Sequence, residues 1–180
     1  GGTHLLDEET GEYNKSYTQR YFPDGGVRLI SCVFRSQGLM IANGNPLHIE
    51  SVADLPLVSY VNRQKGSGTR ILLDYLLKQN GLEPQQIKGY EREEITHTAV
   101  AAAVASGTAD AGMGILAAAK IYNLGFIPLI WEQYDLLVAE KTIEHPEFAR
   151  LLDVMQSPEF GQRLEKLGGY KLNNPGERIL

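Results

Sequence analysis

The chain has 180 residues, of which 43% are hydrophobic and 22% charged, enough for one domain or two small lobes with a real core. Lys and Arg number 17 against 22 Asp and Glu, a net charge of −5, and no basic cluster exists to track a nucleic-acid backbone. An anion bound by such a chain must be held by a local device rather than by bulk charge.

The lone Cys32 sits in an apolar run, which excludes an internal disulfide and a cysteine metal cluster; it reads as a packing thiol. No uninterrupted apolar stretch approaches the ~18 residues of a membrane span, and no signal-peptide pattern is visible. Cysteine usage fits a reducing compartment, and the expected location is cytoplasmic. The chain opens Gly1-Gly2-Thr3-His4 without a Met, as a piece of something longer would.

In chain order, residues 1–26 are polar and turn-rich and read as a connector with at most a short helix. Two strands are expected at Val27–Phe34 and Gln37–Ala42, followed by the turn Asn43-Gly44-Asn45-Pro46. Ser51 can cap a short helical turn through Leu55, and Leu57–Val61 reads as a strand. After the loop 63–70 comes a helix with Ile71, Leu72, Tyr75, Leu76 and Leu77 on one broad face and Gly81 as its stop. Tyr90 and Glu91 read as a short strand, Thr96 as the cap of an Ala/Val-rich helix Ala99–Ala105, and Ala109–Gly114 as a strand ending in glycines. Ile115–Tyr122 reads as a helix, Phe126–Ile130 and Leu136–Ala139 as strands, and Pro146–Met155 and Pro158–Leu167 as helices begun by proline. From Asn173 the chain reads as a tail. Strands alternating with helices between Leu57 and Ile130 imply βαβ units and a mostly parallel sheet.

The strongest chemical signal is a strand, then Arg63-x-x-x-Ser67-Gly68-Thr69-Arg70, then a helix. The first N–H groups of a helix lack intrahelical partners, and the dipole adds about half a positive charge there. Gly68 lets a ligand come close, Ser67 and Thr69 add hydroxyls, and Arg63 or Arg70 can add a forked cation. This is an anion site that needs no net positive chain. It is neither a Walker A loop nor a dinucleotide fingerprint, because the lysine and the third glycine are missing. Ser67 as a plain helix cap is the competing reading.

Thr96-His97-Thr98 opens a second helix and could present further donors, with plain capping as the alternative. Asp110-Ala111-Gly112-Met113-Gly114 lies at a strand's carboxyl end, where open α/β sheets place ligands, although Asp110 could simply hold a turn. Trp131 reads as a core or lid residue and Tyr134 as a contact candidate. Adjacent acids Glu93 and Glu94 rarely converge on one substrate and read as a solvated or salt-bridged face. No metal-ligand cluster and no nucleophile–base pair stand out, so the reading is a binding domain and not an enzyme.

Three segments together, Asn62–Arg70, Gly89–Glu94 with Thr96-His97, and Ala105–Gly114, resemble the periplasmic-binding-protein-like domain. The version resembled is the one found in prokaryotic molybdenum-cofactor (molybdopterin-biosynthesis) and helix-turn-helix regulatory proteins. Gly2–Asp7, Gln37–Met40 and Gly44-Asn45-Pro46 extend the likeness over nearly the whole chain. The resemblance implies a two-lobed type II α/β fold, mostly parallel sheets flanked by helices. Its expected parts are 1–56 in the first lobe, 57–131 in the second, and 132–180 returning to the first. It implies a first lobe cut short at its N-terminus, with Thr3 and His4 at the cut edge, and an exposed sheet edge that would favour a homodimer. The implied ligand is a small oxyanion, molybdate or tungstate, held by Arg63, Ser67, Gly68, Thr69, Arg70, Thr96, His97, Gly112, Tyr134, Thr3 and His4, with no cofactor. An upstream molybdotransferase or helix-turn-helix domain is the implied partner. The alternative is an effector-binding domain for a small organic acid or a pterin, contacted by Tyr134, His97 and Arg35.

Overall fold

The computed structural model describes residues 1–180. In chain order the elements are β1 (Gly2–Thr3), α1 (Lys15–Tyr21), β2 (Val27–Ile41), β3 (Tyr60–Arg63), α2 (Gly68–Gln79), β4 (Glu93–Glu94), α3 (His97–Ala105), β5 (Ala111–Ile115), α4 (Leu116–Ile121), β6 (Gly125–Ala139), α5 (Glu140–Ile143), α6 (Pro146–Met155), α7 (Pro158–Leu167) and β7 (Tyr170–Leu172). A 3₁₀ turn over Val52–Leu57 is capped by Ser51, as its sequence implies, with Asp54 completing a reciprocal capping box.

The chain separates into two compact units, one formed by residues 1–35 and 131–180 and the other by residues 36–130. The 15-residue strands β2 and β6 carry the chain from one unit to the other. The first boundary therefore falls at residue 36 and not at 57. The reason is that β2 runs unbroken through Arg35-Ser36-Gln37, and its second half pairs with β5. The two strands expected at Val27–Phe34 and Gln37–Ala42 are one strand, and so are the two expected within β6.

In the unit of residues 36–130, β2 pairs antiparallel with β5 from Gln37↔Ile115 to Ile41↔Ala111. Strand β3 runs parallel to β5 on one side and to β4 on the other. The sheet is mixed, with the parallel order confined to β4-β3-β5, because the βαβ connections through α2 and α3 lie only there. Tyr90-Glu91 is a turn, and the short strand sits at Glu93–Glu94. Helix α3 is apolar almost all round. Its Val100, Ala101 and Val104 are buried with Met40, Val61, Ala109, Ala118 and Ala119 in this unit's core. Each large side chain so buried contributes about 1.5–3 kcal/mol.

In the unit of residues 1–35 and 131–180, β1 pairs with β6 and β7 pairs with β2, both antiparallel. Cys32, Val33, Met155 and Leu164 form its core, with Phe160, Leu136, Tyr134 and Tyr170 packed on it. Residues 173–180 are not a loose tail: Ser31 N–H donates to the Glu177 carbonyl, Ile179 N–H to the Leu29 carbonyl, and Ile30 bridges Arg178. No helix is long and apolar enough to cross a membrane.

Candidate functional site

The parallel strands β3 and β5 of the unit 36–130 end together, and the elements that follow them begin at that edge. After β3 the chain makes a tight loop in which Gly66 takes φ +85°, a conformation strained for any residue with a Cβ. It then enters α2 at Gly68. Ser67 is the N-cap and its hydroxyl accepts from Arg70 N–H at 3.2 Å. The N–H groups of Gly68 and Thr69 fall in the first turn, ahead of the intrahelical ladder.

Thr69 is buried, and its Oγ1 accepts from Gln37 Nε2 at 2.9 Å, so the hydroxyl hydrogen remains for another acceptor. Gln37 lies on β2 opposite Ile115, the last residue of β5, and has no exposed surface. Its Oε1 has no hydrogen-bond partner. An orphaned buried acceptor costs about 1–3 kcal/mol, so a native fold that keeps one calls for an explanation. The signal of Gln37 in the sequence is slight, an amide placed in an otherwise apolar stretch of strand.

Arg70 is not a donor waiting for a ligand. Its guanidinium stacks on Tyr90 at 3.9 Å, pairs with Glu93 at 3.1 Å and with Asp74 at 3.5 Å, and reaches the Arg63 carbonyl at 3.3 Å. It ties α2 to β4 through Glu93 and to the preceding loop through Tyr90. Arg63 Nη2 donates to the Ile95 carbonyl at 2.8 Å and its Nε to Gln64 Oε1 at 3.2 Å, which positions the loop that precedes α3.

Thr96 caps α3, accepting from Ala99 N–H at 3.0 Å and lying 3.0 Å from the Thr98 hydroxyl. His97 begins that helix with its Nδ1 buried, and a Cβ on Gly114 would sit 3.3 Å from it, so the end of β5 and the start of α3 are adjacent. Gly112 is a packing residue: a Cβ there would meet Val100 Cγ1 at 2.4 Å and the Val61 carbonyl oxygen at 3.0 Å. Asp110 precedes β5, at its amino end and not at a carboxyl edge, and it ties that end to Ser59 just ahead of β3. Its Oδ2 accepts from Ser59 N–H at 2.7 Å and the Ser59 hydroxyl at 2.6 Å, and these bonds, the hydroxyl's first, hold its carboxyl below the usual range against a slight opposing effect of burial.

Thr3, His4 and Tyr134 belong to the unit of residues 1–35 and 131–180. Thr3 Oγ1 donates to Asn14 Oδ1 at 3.0 Å, and Asn14 Nδ2 donates to Asp135 at 2.7 Å. His4 stacks on Tyr134 with ring centroids 5.6 Å apart, and Arg35 lies over the other partner of the cluster, its guanidinium 4.6 Å from the same tyrosine ring centroid. His4 Nδ1 is 3.1 Å from Glu132 Oε2, and Arg35 Nε donates to Glu132 Oε1. Burial alone would raise the Glu132 carboxyl, but the His4 hydrogen bond and the Arg35 charge hold it below its ordinary range. Glu132 and Arg35 are thus a buried ion pair that no local sequence pattern announces. Along α6 and α7 of this unit runs a groove of about 680 Å³ whose lining is mainly apolar, from Val154, Phe160, Leu164 and Leu167, with Ser157 and a Glu159-paired Arg163 among its polar members.

Residues 1–156 match the family model described as "PBP superfamily domain". A Bacillus subtilis protein described as "Uncharacterized protein YvgK" is 38% identical over 179 residues, 98% of this chain and 58% of its own length. The chain therefore spans little more than half of that relative. Among solved structures, the effector-binding domain of QuiR in complex with shikimate aligns with a TM-score of 0.59 at 17% identity, covering 77% of this chain and 66% of its own. L-phospholactate-bound PEB3 aligns with a TM-score of 0.56 at 15% identity, covering 80% of this chain and 68% of its own. At those identities the likeness concerns the fold, an α/β type II periplasmic-binding-protein arrangement with a mixed sheet and flanking helices. With 156 of its residues accounted for by one family model, the chain belongs to the PBP superfamily domain family.

Proposed function

We propose that the chain is a ligand-binding domain for a small anion, and that the first turn of α2 in the unit 36–130 holds the anion. The observation that carries this reading is the group at the carboxyl edge of β3 and β5: the Gly68 and Thr69 amides, the spare hydrogen of the Thr69 hydroxyl, and the buried Gln37 amide beside it. Donors converge there without a free arginine, since Arg70 is committed to Glu93 and Asp74. This suits one small anion and not a polyanion. The site holds donors and no nucleophile–base pair, which supports binding over catalysis.

Molybdate and tungstate are the oxyanions that the sequence resemblance implies, within a longer cytoplasmic molybdenum-cofactor or regulatory protein. Both are fully ionised at neutral pH and ask only for donors. A second reading, an effector-binding domain for a small organic acid or a pterin, is supported by the unpaired Gln37 acceptor. Fold neighbours that carry shikimate and L-phospholactate agree with it. Titration calorimetry with molybdate, tungstate, sulfate, phosphate and small organic acids tests the common claim. Saturable heat is expected with at least one of them, and Thr69→Val should weaken it roughly tenfold, the value of one hydrogen bond to a charged partner. Heat from none of these, or a Thr69→Val variant that binds unchanged, contradicts the reading.

A further inference from the structure

We propose that Gln37 selects the ligand, and that the bound anion carries an O–H or N–H donor beside its charge. The inference rests on the small-anion reading of the α2 site and narrows it.

A helix N-terminus and a threonine hydroxyl offer donors only, so by themselves they accept any small anion of the right size. Gln37 adds a different chemistry. Its amide nitrogen is used on Thr69 Oγ1 at 2.9 Å, and that bond orients the whole amide plane. The carbonyl oxygen of the same amide is consequently fixed within one amide's width of the second residue of α2. It has no exposed surface and no partner. Buried acceptors in folded proteins are almost always met by a donor, and no protein group supplies one here. The unmet demand is thus for a hydrogen, at the place where the α2 amides ask for negative charge.

The surroundings explain why the amide does not relax into another bond. Gln37 stands opposite Ile115 in the β2–β5 ladder, and the next residue, Gly38, lies so close to β6 that a Cβ there would be 2.2 Å from the Ile127 carbonyl oxygen. The strand is clamped from both sides and Thr69 holds the side chain. Two neighbouring polar groups, Arg63 and Arg70, hold other protein atoms: Arg63 the Ile95 carbonyl, Arg70 the Glu93 and Asp74 carboxylates.

A ligand that satisfies both demands has an anionic group for the Gly68 and Thr69 donors and an adjacent O–H or N–H for Gln37. Hydrogen phosphate meets this through its P–O–H, and 2-hydroxy or 2-amino acids through the hydroxyl or ammonium next to the carboxylate. Molybdate, tungstate and sulfate at neutral pH do not.

The test is titration calorimetry on the full chain with two matched pairs. Hydrogen phosphate is compared with monofluorophosphate, a dianion of the same shape whose fluorine replaces the hydroxyl. Lactate is compared with propionate. We expect the donor-bearing member of at least one pair to bind about tenfold or more tightly than its partner, and the pair that responds tells phosphate from hydroxy acid. Gln37→Met should erase the preference by weakening the donor-bearing member alone. The pairwise comparison in the unaltered chain decides the question even where that variant does not fold. Equal affinities within both pairs, or tighter binding of sulfate and molybdate than of any donor-bearing ligand, overturn the role of Gln37 while leaving the small-anion reading standing. No binding by any of these anions overturns both.

Discussion

Glu132 has no exposed surface, and its charge survives there only because Arg35 and His4 stand against it. Removing one member of a buried pair leaves the other uncompensated, at a cost of about 3–5 kcal/mol. Glu132→Ala should therefore lower the unfolding free energy by that amount in a denaturant titration; a change within experimental scatter would mean that Arg35 finds water or another partner. The pH dependence has a definite sign. The folded carboxyl is held below its unfolded value, so its stabilising contribution is present above the unfolded pKa of about 4.3 and is lost as pH falls through the folded value. Asp135, raised by burial against the donors Asn14 and Gln133, works the other way: its contribution is present at low pH and lost as pH rises through its raised folded value. Glu132→Gln should flatten the acid limb of stability. These residues were not legible in sequence, because a charge inside a strand reads as a break until its partner, 97 positions away in the case of Arg35 and Glu132, is known.

At the scale of elements, the helices and the positions of most strands are legible in sequence, while the length and continuity of β2 and β6 are not. Caps and stops are local: Ser67, Thr96 and Ser157 each accept from the helix they open, as their positions imply. Strand β2 reads as two strands because Arg35-Ser36 interrupts the apolar run, and the polar side chains there are tolerated because Glu132 pairs with Arg35 and Thr69 with Gln37. The strand–glycine–helix pattern places the loop after β3, but local sequence does not show that the partners of Arg70 are Tyr90, Asp74 and Glu93 and not a ligand. Gly112 illustrates the same limit. Its sequence context suggests a ligand approach, while its close neighbours are Val100 and Val61. Gly112→Ala should cost roughly 1–3 kcal/mol by overpacking between β5, β3 and α3. A thermal melt checks this. An unchanged midpoint would show that α3 shifts freely and would weaken the case that α3 and β5 position the edge at His97 and Gly114.

For the whole molecule, the segment 36–130 is continuous in sequence and has its own core. The other unit is assembled from two segments of chain. Residues 36–130 expressed alone should unfold cooperatively on heating and give a dispersed amide spectrum. A non-cooperative melt would show that this core depends on the rest of the chain. The net charge of −5 also gains meaning at this scale: it leaves no patch for a polyanion, whereas a single small anion needs only one helix start and a few oriented groups.

The central claim is that the start of α2 receives an anion, and an amide-resolved NMR titration of the full chain with phosphate tests it most directly. The account predicts saturable shifts that are largest at the Gly68 and Thr69 amides and reduced in Thr69→Val. Saturable shifts centred elsewhere, or no saturable shift at those two amides with any anion of the calorimetric panel, would contradict it.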